Sequence, residues 1–146
     1  MHLRLRWYEV RMRLHSKLYK RVMLLRTIPG IGPVSASAIV ATVGDAKQFK
    51  NGRQFAAWLG LTPLNRSSGG KERLGRITKM GDRYIRRLLV TGKTARLRQM
   101  KVNPDRVDPW AIDLLTRKPP RLATIAMANK TARIVWAIRR ECKKLV

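Results

Sequence analysis

The hexapeptide Ile28-Pro29-Gly30-Ile31-Gly32-Pro33 constrains this chain more than any other stretch. Two prolines and two glycines in so short a span interrupt any continuous helix. Both flanks nevertheless carry apolar residues at helical spacing. On the N-terminal side, Leu14, Leu18, Val22 and Leu25 lie within an Arg- and Lys-rich segment from Leu3 to Leu25, which predicts a basic amphipathic helix. On the C-terminal side, Val34, Ala38 and Ala41, with Ile39 and Val43 beside them, predict a second helix closed by Gly44. The stretch 25–43 therefore has the pattern of a helix-hairpin-helix. Ile31 would plug the gap between the helices, and Gly30 and Gly32 would let the backbone turn tightly. The N–H groups opening the second helix could then hold a phosphate. Such a grip positions a nucleic acid without reading its sequence.

Further helices are signalled locally. Asn51 or Gly52 starts a short helix over about Arg53–Leu59. Asp82 is a good N-cap for a helix with Ile85, Leu88, Leu89 and Gly92 on its buried face. Arg83, Arg86, Arg87 and Lys93 are expected mainly elsewhere on that helix. Asp108 precedes Pro109 as cap and first helical residue, with Trp110, Leu114 and Leu115 as apolar contacts. After Pro119-Pro120 a long helix runs from about Leu122 to Leu145. Its stripes are Ile125, Ala132, Val135 and Trp136, and Met127, Ile134 and Ile138. Gly60 to Gly81 reads as mostly loop, and no alternating run suggests a strand. The expected fold is a small all-α domain with a helix-hairpin-helix and a long C-terminal helix. The expected division is a basic connecting helix over 1–23 and the domain proper over 24–146.

Charge selects the partner. The chain has 33 Lys plus Arg against 8 Asp plus Glu, a net charge of +25 over 146 residues. Such self-repulsion is relieved by a polyanion, and neutralised phosphates release their counterions, so nucleic acid is expected. No run of about 18 apolar residues exists to span a bilayer, and the cations are spread along the chain rather than gathered on one helix, so no membrane partner is expected. A lone cysteine, Cys142, and the absence of a signal-peptide start point to a cytoplasmic protein. Cys142, His2 and His15 lack zinc-ligand spacing, and the scattered carboxylates form no metal group, so no cofactor is expected in this chain. Both histidines precede residue 16, which disfavours Ser-His-Asp catalysis. Most of the aromatic residues sit at helical spacing and are expected in the core, with Tyr84 beside Arg83 left open.

The remaining chemistry lies in the loop. Ser67 and Ser68 sit among Arg66, Lys71, Arg73, Arg76 and Lys79 on a Gly-rich segment. Cations can depress a hydroxyl pKa, hold the phosphate it attacks and stabilise the charge that develops on it. From residue types alone, a flexible basic loop with serines at its turns is the plainer reading.

Taken in order, Leu61-Thr62-Pro63, Ser67-Ser68-Gly69-Gly70-Lys71, Gly81-Asp82-Arg83-Tyr84, Asp108-Pro109-Trp110 and Ala128-Asn129-Lys130-Thr131-Ala132-Arg133 resemble the C-terminal transposase domain of the insertion-sequence transposase family 110/116/902. The likeness runs from about Leu24 to Ile138. It implies a recombinase in which Ser68, or failing it Ser67, attacks a DNA phosphodiester and forms a phosphoserine link. It implies that Lys71, Arg73, Arg76 and Lys79 hold phosphate; together with Gly30 and Gly32 of the turn and with Arg66, Arg83, Arg86 and Arg87, these are the expected nucleic-acid contacts. It also implies a preceding resolvase-like domain with four Mg²⁺-binding acidic residues, a structured guide RNA and a homo-oligomer. This chain is expected to lack that acidic domain and to be inactive alone, with Mg²⁺ needed only alongside it. Leu64 stands where the family usually has a basic residue. The competing expectation is a non-catalytic helix-hairpin-helix protein of ribosomal or nucleoid type, which has no need of the Ser-Ser-Gly-Gly loop.

Overall fold

The computed structural model describes residues 2–65, 70, 74–103 and 108–141. Ser67, Ser68, Arg66, Lys71, Arg73 and Cys142 lie outside the described residues.

Helices dominate. α1 (His2–Leu18) and α2 (Lys20–Arg26) precede the Pro/Gly turn, and α3 (Pro33–Val43) follows it. A single 3-10 turn, Ala46–Gln48, leads to α4 (Gly52–Trp58). Strands β1 (Pro63–Asn65) and β2 (Leu74–Ile77) come next, then α5 (Arg83–Val102), α6 (Pro109–Arg117) and α7 (Pro120–Glu141). Each expected side-chain cap is present. Asn51 accepts from Gln54 N–H, Asp82 from Ile85 N–H and Asp108 from Trp110 N–H.

α7 is the central element, packed against α4 and α5. The main core gathers Val22, Leu25, Ile39, Phe55, Leu59, Leu61, Ile85, Leu89 and Val135, with Trp58 and Trp136 at its margin. Each large buried side chain contributes roughly 1.5–3 kcal/mol of hydrophobic stabilisation. A smaller cluster of Leu97, Met100, Ala111 and Met127 lies further along α5, with Trp110, Leu114 and Leu115 packed on it. The Trp136 indole N–H donates to the carbonyls of Ala46 and Phe49, and Arg139 donates to Gly44 O, so the last turns of α7 fasten the link between α3 and α4.

Four expectations need correction. The first helix is not continuous: Tyr19 takes an extended conformation between α1 and α2. Leu14 and Leu18 are exposed while Val22 and Leu25 are buried, because only the segment nearest the turn reaches the main core. α3 buries Ser35, Ala36, Ile39 and Val43 and leaves Val34 46% exposed, so the buried face is rotated from the expected one. Small residues lie on every side of this helix itself, so packing, not side-chain size, chooses its inner face. The fold is mostly helical rather than all-α, since β1 and β2 pair antiparallel with Pro63 opposite Ile77 and Asn65 opposite Leu74. That register slips by one residue across the pair, which marks a bulge. Lys93 does not lie on the outer side of α5 but is only 7% exposed.

Candidate nucleic-acid interface

The stretch that carries the two serines is anchored at a narrow neck. The chain leaves α4 at Gly60 and returns to α5 at Gly81, and the backbones nearly touch. A Cβ on Gly81 would lie 1.8 Å from Trp58 O, and one on Gly60 would lie 2.8 Å from both Met80 O and an Arg86 guanidinium nitrogen. Both glycines have positive φ, 68° and 130°, which side chains rarely adopt. Lys79 N–H donates to Gly60 O at 3.2 Å, and Thr78 N–H to Thr62 O at 2.9 Å, which closes the base of the hairpin. Arg86 Nη1 donates to Leu59 O at 2.8 Å and ties the neck to α5. Asn129 Nδ2 donates to Leu61 O at 3.1 Å and ties it to α7.

Exposed cations surround this neck. Arg76 on β2, Lys79 beyond it, and Arg83 and Arg87 on α5 all face solvent, and Tyr84 among them is 56% exposed. Lys79 is itself unusual, a non-glycine residue with a φ of 55°. Arg86 differs from its neighbours: it is half-buried and bonded inside the fold, so its first task is to position the hairpin. The aromatics divide. Phe49, Phe55 and Trp58 pack together, Phe49 edge-on to Phe55 and Phe55 stacked on Trp58, whereas Trp7 and Tyr8 on α1 and Tyr19 between α1 and α2 are exposed.

The Pro/Gly turn lies at a different place and is docked on α5. Gly30 has a φ of 89°, and its backbone passes so close to Gly92 that a Cβ there would lie 2.0 Å from Gly30 O. Ile31 is buried, as expected of the residue between the glycines. Lys93 Nζ donates to Pro29 O at 2.5 Å. Burial, then the charge of Arg96 and, more weakly, that of Lys130, push the Lys93 ammonium down from 10.5 to about 8, against the opposing pull of Asp108. Gly32 is the N-cap of α3 and carries no side chain to cap it, so the first N–H groups of that helix have no side-chain partner. Gly30 thus serves close packing, and Gly32 stands at the open helix start.

The four neck residues Gly60, Gly81, Arg86 and Asn129 were not distinguished by composition. Paired glycines flanking the Ser-containing stretch were the available signal. For Lys93 the signal was spacing, since it falls one helical repeat after Leu89 and two after Ile85.

Among the described residues no three His, Cys, Asp or Glu side chains gather as a metal site. Asp108 is paired with Lys130 and Asp113 with Arg117. These residues do not fit Mg²⁺. Nor is any helix among them long and apolar enough to cross a membrane.

The described residues thus form a basic helical body that presents a tightly anchored hairpin. The chain belongs to the Transposase IS116/IS110/IS902 family, whose pattern matches residues 22–107 and so takes in the turn, the neck and all of α5. It is 47% identical over 130 residues to a Pseudomonas aeruginosa protein named "Probable family 20 transposase", covering 89% of this chain and 38% of that one. It is 38% identical over 131 residues to the transposase for insertion sequence element IS1111A of Coxiella burnetii, covering 90% of this chain and 36% of that one. Over 53 residues it is 36% identical to the pilin gene-inverting protein of Moraxella bovis, covering 36% of this chain and 16% of that one. The chain spans about a third of the length of the first two relatives.

Proposed function

We propose that this chain is the DNA-gripping, nucleophile-bearing part of an insertion-sequence transposase. What carries the reading is the family match, which brackets the hairpin neck and the exposed cations around it. A relative named for gene inversion points the same way, toward DNA rearrangement by recombination. In this reading Ser68, with Ser67 as the fallback, attacks a DNA phosphorus. The Oγ–P bond forms, the P–O bond to the sugar breaks, and the hydroxyl proton ends on the departing sugar oxygen. Arg66, Lys71, Arg73, Arg76 and Lys79 stabilise the charge gathering on the phosphate. Arg83 and Arg87 hold flanking backbone. The turn over 25–43 acts as a helix-hairpin-helix, offering α3 N–H groups to a further phosphate.

The four-carboxylate Mg²⁺ domain, the guide RNA and the oligomer belong to the same proposal for the whole enzyme. None of the steps above is routed through them. The test is covalent capture of DNA by a longer chain carrying the acidic domain. Ser68→Ala should abolish the protein–DNA adduct and Ser67→Ala should leave it. An adduct that persists in Ser68→Ala removes that residue from the role.

A further inference from the structure

Two sequence motifs have no part in the mechanism above, Asp108-Pro109-Trp110 and Ala128-Asn129-Lys130-Thr131-Ala132-Arg133. The fold brings them to one place. Trp110 on α6 and Ala126, Asn129, Lys130, Arg133 and Ile134 on α7 line a cavity of about 410 Å³. That falls within the range of small-ligand pockets, roughly 300–1,000 Å³.

The chemistry of the walls is selective. The Lys130 ammonium sits 4.1 Å from the centre of the Trp110 ring, and the same Nζ lies 3.3 Å from Asp108 Oδ2. Arg133 is exposed and pairs with no carboxylate among the described residues. Its first side-chain carbons rest on Gly52 at the start of α4, which fixes where the side chain begins. Asn129 reaches Leu61 O through one amide hydrogen and still has its amide oxygen. The cavity therefore combines a flat aromatic ring, two cations and an amide. A planar heterocycle bearing a phosphate satisfies all of them. A base inside a duplex cannot, because its faces are already stacked.

We propose that this cavity receives one unpaired nucleotide of the bound nucleic acid. The base stacks on Trp110 where Lys130 now sits, the displaced ammonium joins Arg133 on the phosphate, and Asn129 meets the base edge. The inference rests on the nucleic-acid reading above. It also gives the occupied cavity a physical connection to the hairpin, because Asn129 holds the carbonyl of Leu61 at the hairpin's foot.

The experiment measures binding of the full chain at low salt to three labelled probes of equal length: single-stranded DNA, single-stranded RNA and blunt duplex DNA. Trp110→Leu should weaken a single strand roughly five- to one-hundredfold, the range for one lost base–aromatic stack, and change duplex binding less than twofold. Trp110→Tyr should restore most of the affinity. Should Trp110→Leu fail to fold, a single strand with abasic sites in place of bases makes the same measurement on the unaltered protein and should bind as weakly. A loss confined to DNA or to RNA names the strand that supplies the nucleotide, and an equal loss in both supports a pocket that reads the base alone. Equal losses on duplex and single strand, or an abasic strand bound as well as an intact one, overturn the pocket and leave the nucleic-acid reading standing. Wild-type protein that binds none of the probes overturns both.

Discussion

Gly92 on α5 and Gly30 in the Pro/Gly turn meet backbone to backbone, with no room for a single carbon between them. Helical propensity favours alanine over glycine in the middle of a helix by roughly 0.5–1 kcal/mol. Here the contact reverses that preference. A methyl group on Gly92 would sit 2.0 Å from Gly30 O, so either the turn or α5 must move. Gly92→Ala is expected to lower the unfolding free energy by about 1–3 kcal/mol or more, as overpacking does. Urea denaturation checks it, and an unchanged or higher midpoint would refute the close approach.

Lys93 makes stability depend on pH in a defined window. Its folded pKa is about 8 against an ordinary 10.5. Between those values the unfolded chain holds a proton that the folded chain has released. The stabilisation from this group is therefore complete above the unfolded value and is lost as pH falls through 8. Lys93→Met removes the titration. The difference in melting temperature, wild type minus variant, should rise from pH 7 to pH 10. A difference flat across that range would mean the ammonium is not penalised in the fold.

Gly32→Asp separates two uses of the α3 N-terminus. The new carboxylate would meet open space, since nothing lies within 4 Å of a Cβ there. As an N-cap it should add a few tenths of a kcal/mol to stability. If the same N–H groups hold a phosphate, affinity for DNA should fall about tenfold or more, the loss of one charge-assisted contact. Gly32→Ser caps without adding charge and should fall between. Higher stability with unchanged DNA affinity would leave the turn as a packing element only.

The exposed cations around the neck should appear in the salt response. With six or more phosphates neutralised, DNA affinity should fall by roughly 10³-fold between 50 and 200 mM salt. Arg83→Gln and Arg87→Gln should each reduce the slope of log affinity on log salt by about one. Arg86→Gln should instead lower the melting temperature, because its guanidinium serves Leu59 O. Titrations by anisotropy across salt concentrations make the comparison, and a shallow slope would contradict a phosphate interface.

What could be read from the residues was local. The caps at Asn51, Asp82 and Asp108 form because each side chain needs only the next two or three N–H groups. Pro33 and Pro109 mark helix starts for a similarly short-range reason. The strands are not legible because three or four residues, one of them Pro in β1 and one Gly in β2, are too few to show alternation. Lys93 reads as an outward cation because its place on the buried stripe makes sense only with Pro29 O beside it. The Trp110 cavity needed the packing of α6 on α7, although both of its motifs stood out as text. The family resemblance supplied the serine assignment, which no spacing argument could have reached.

α5 runs through both apolar clusters, and Lys93 stands on its buried stripe between Leu89 of the larger and Leu97 of the smaller. A polar interruption there limits how strongly the two halves reinforce one another. Amide hydrogen exchange is accordingly expected to be faster in α6 and the last turns of α5 than around Leu89 and Val135.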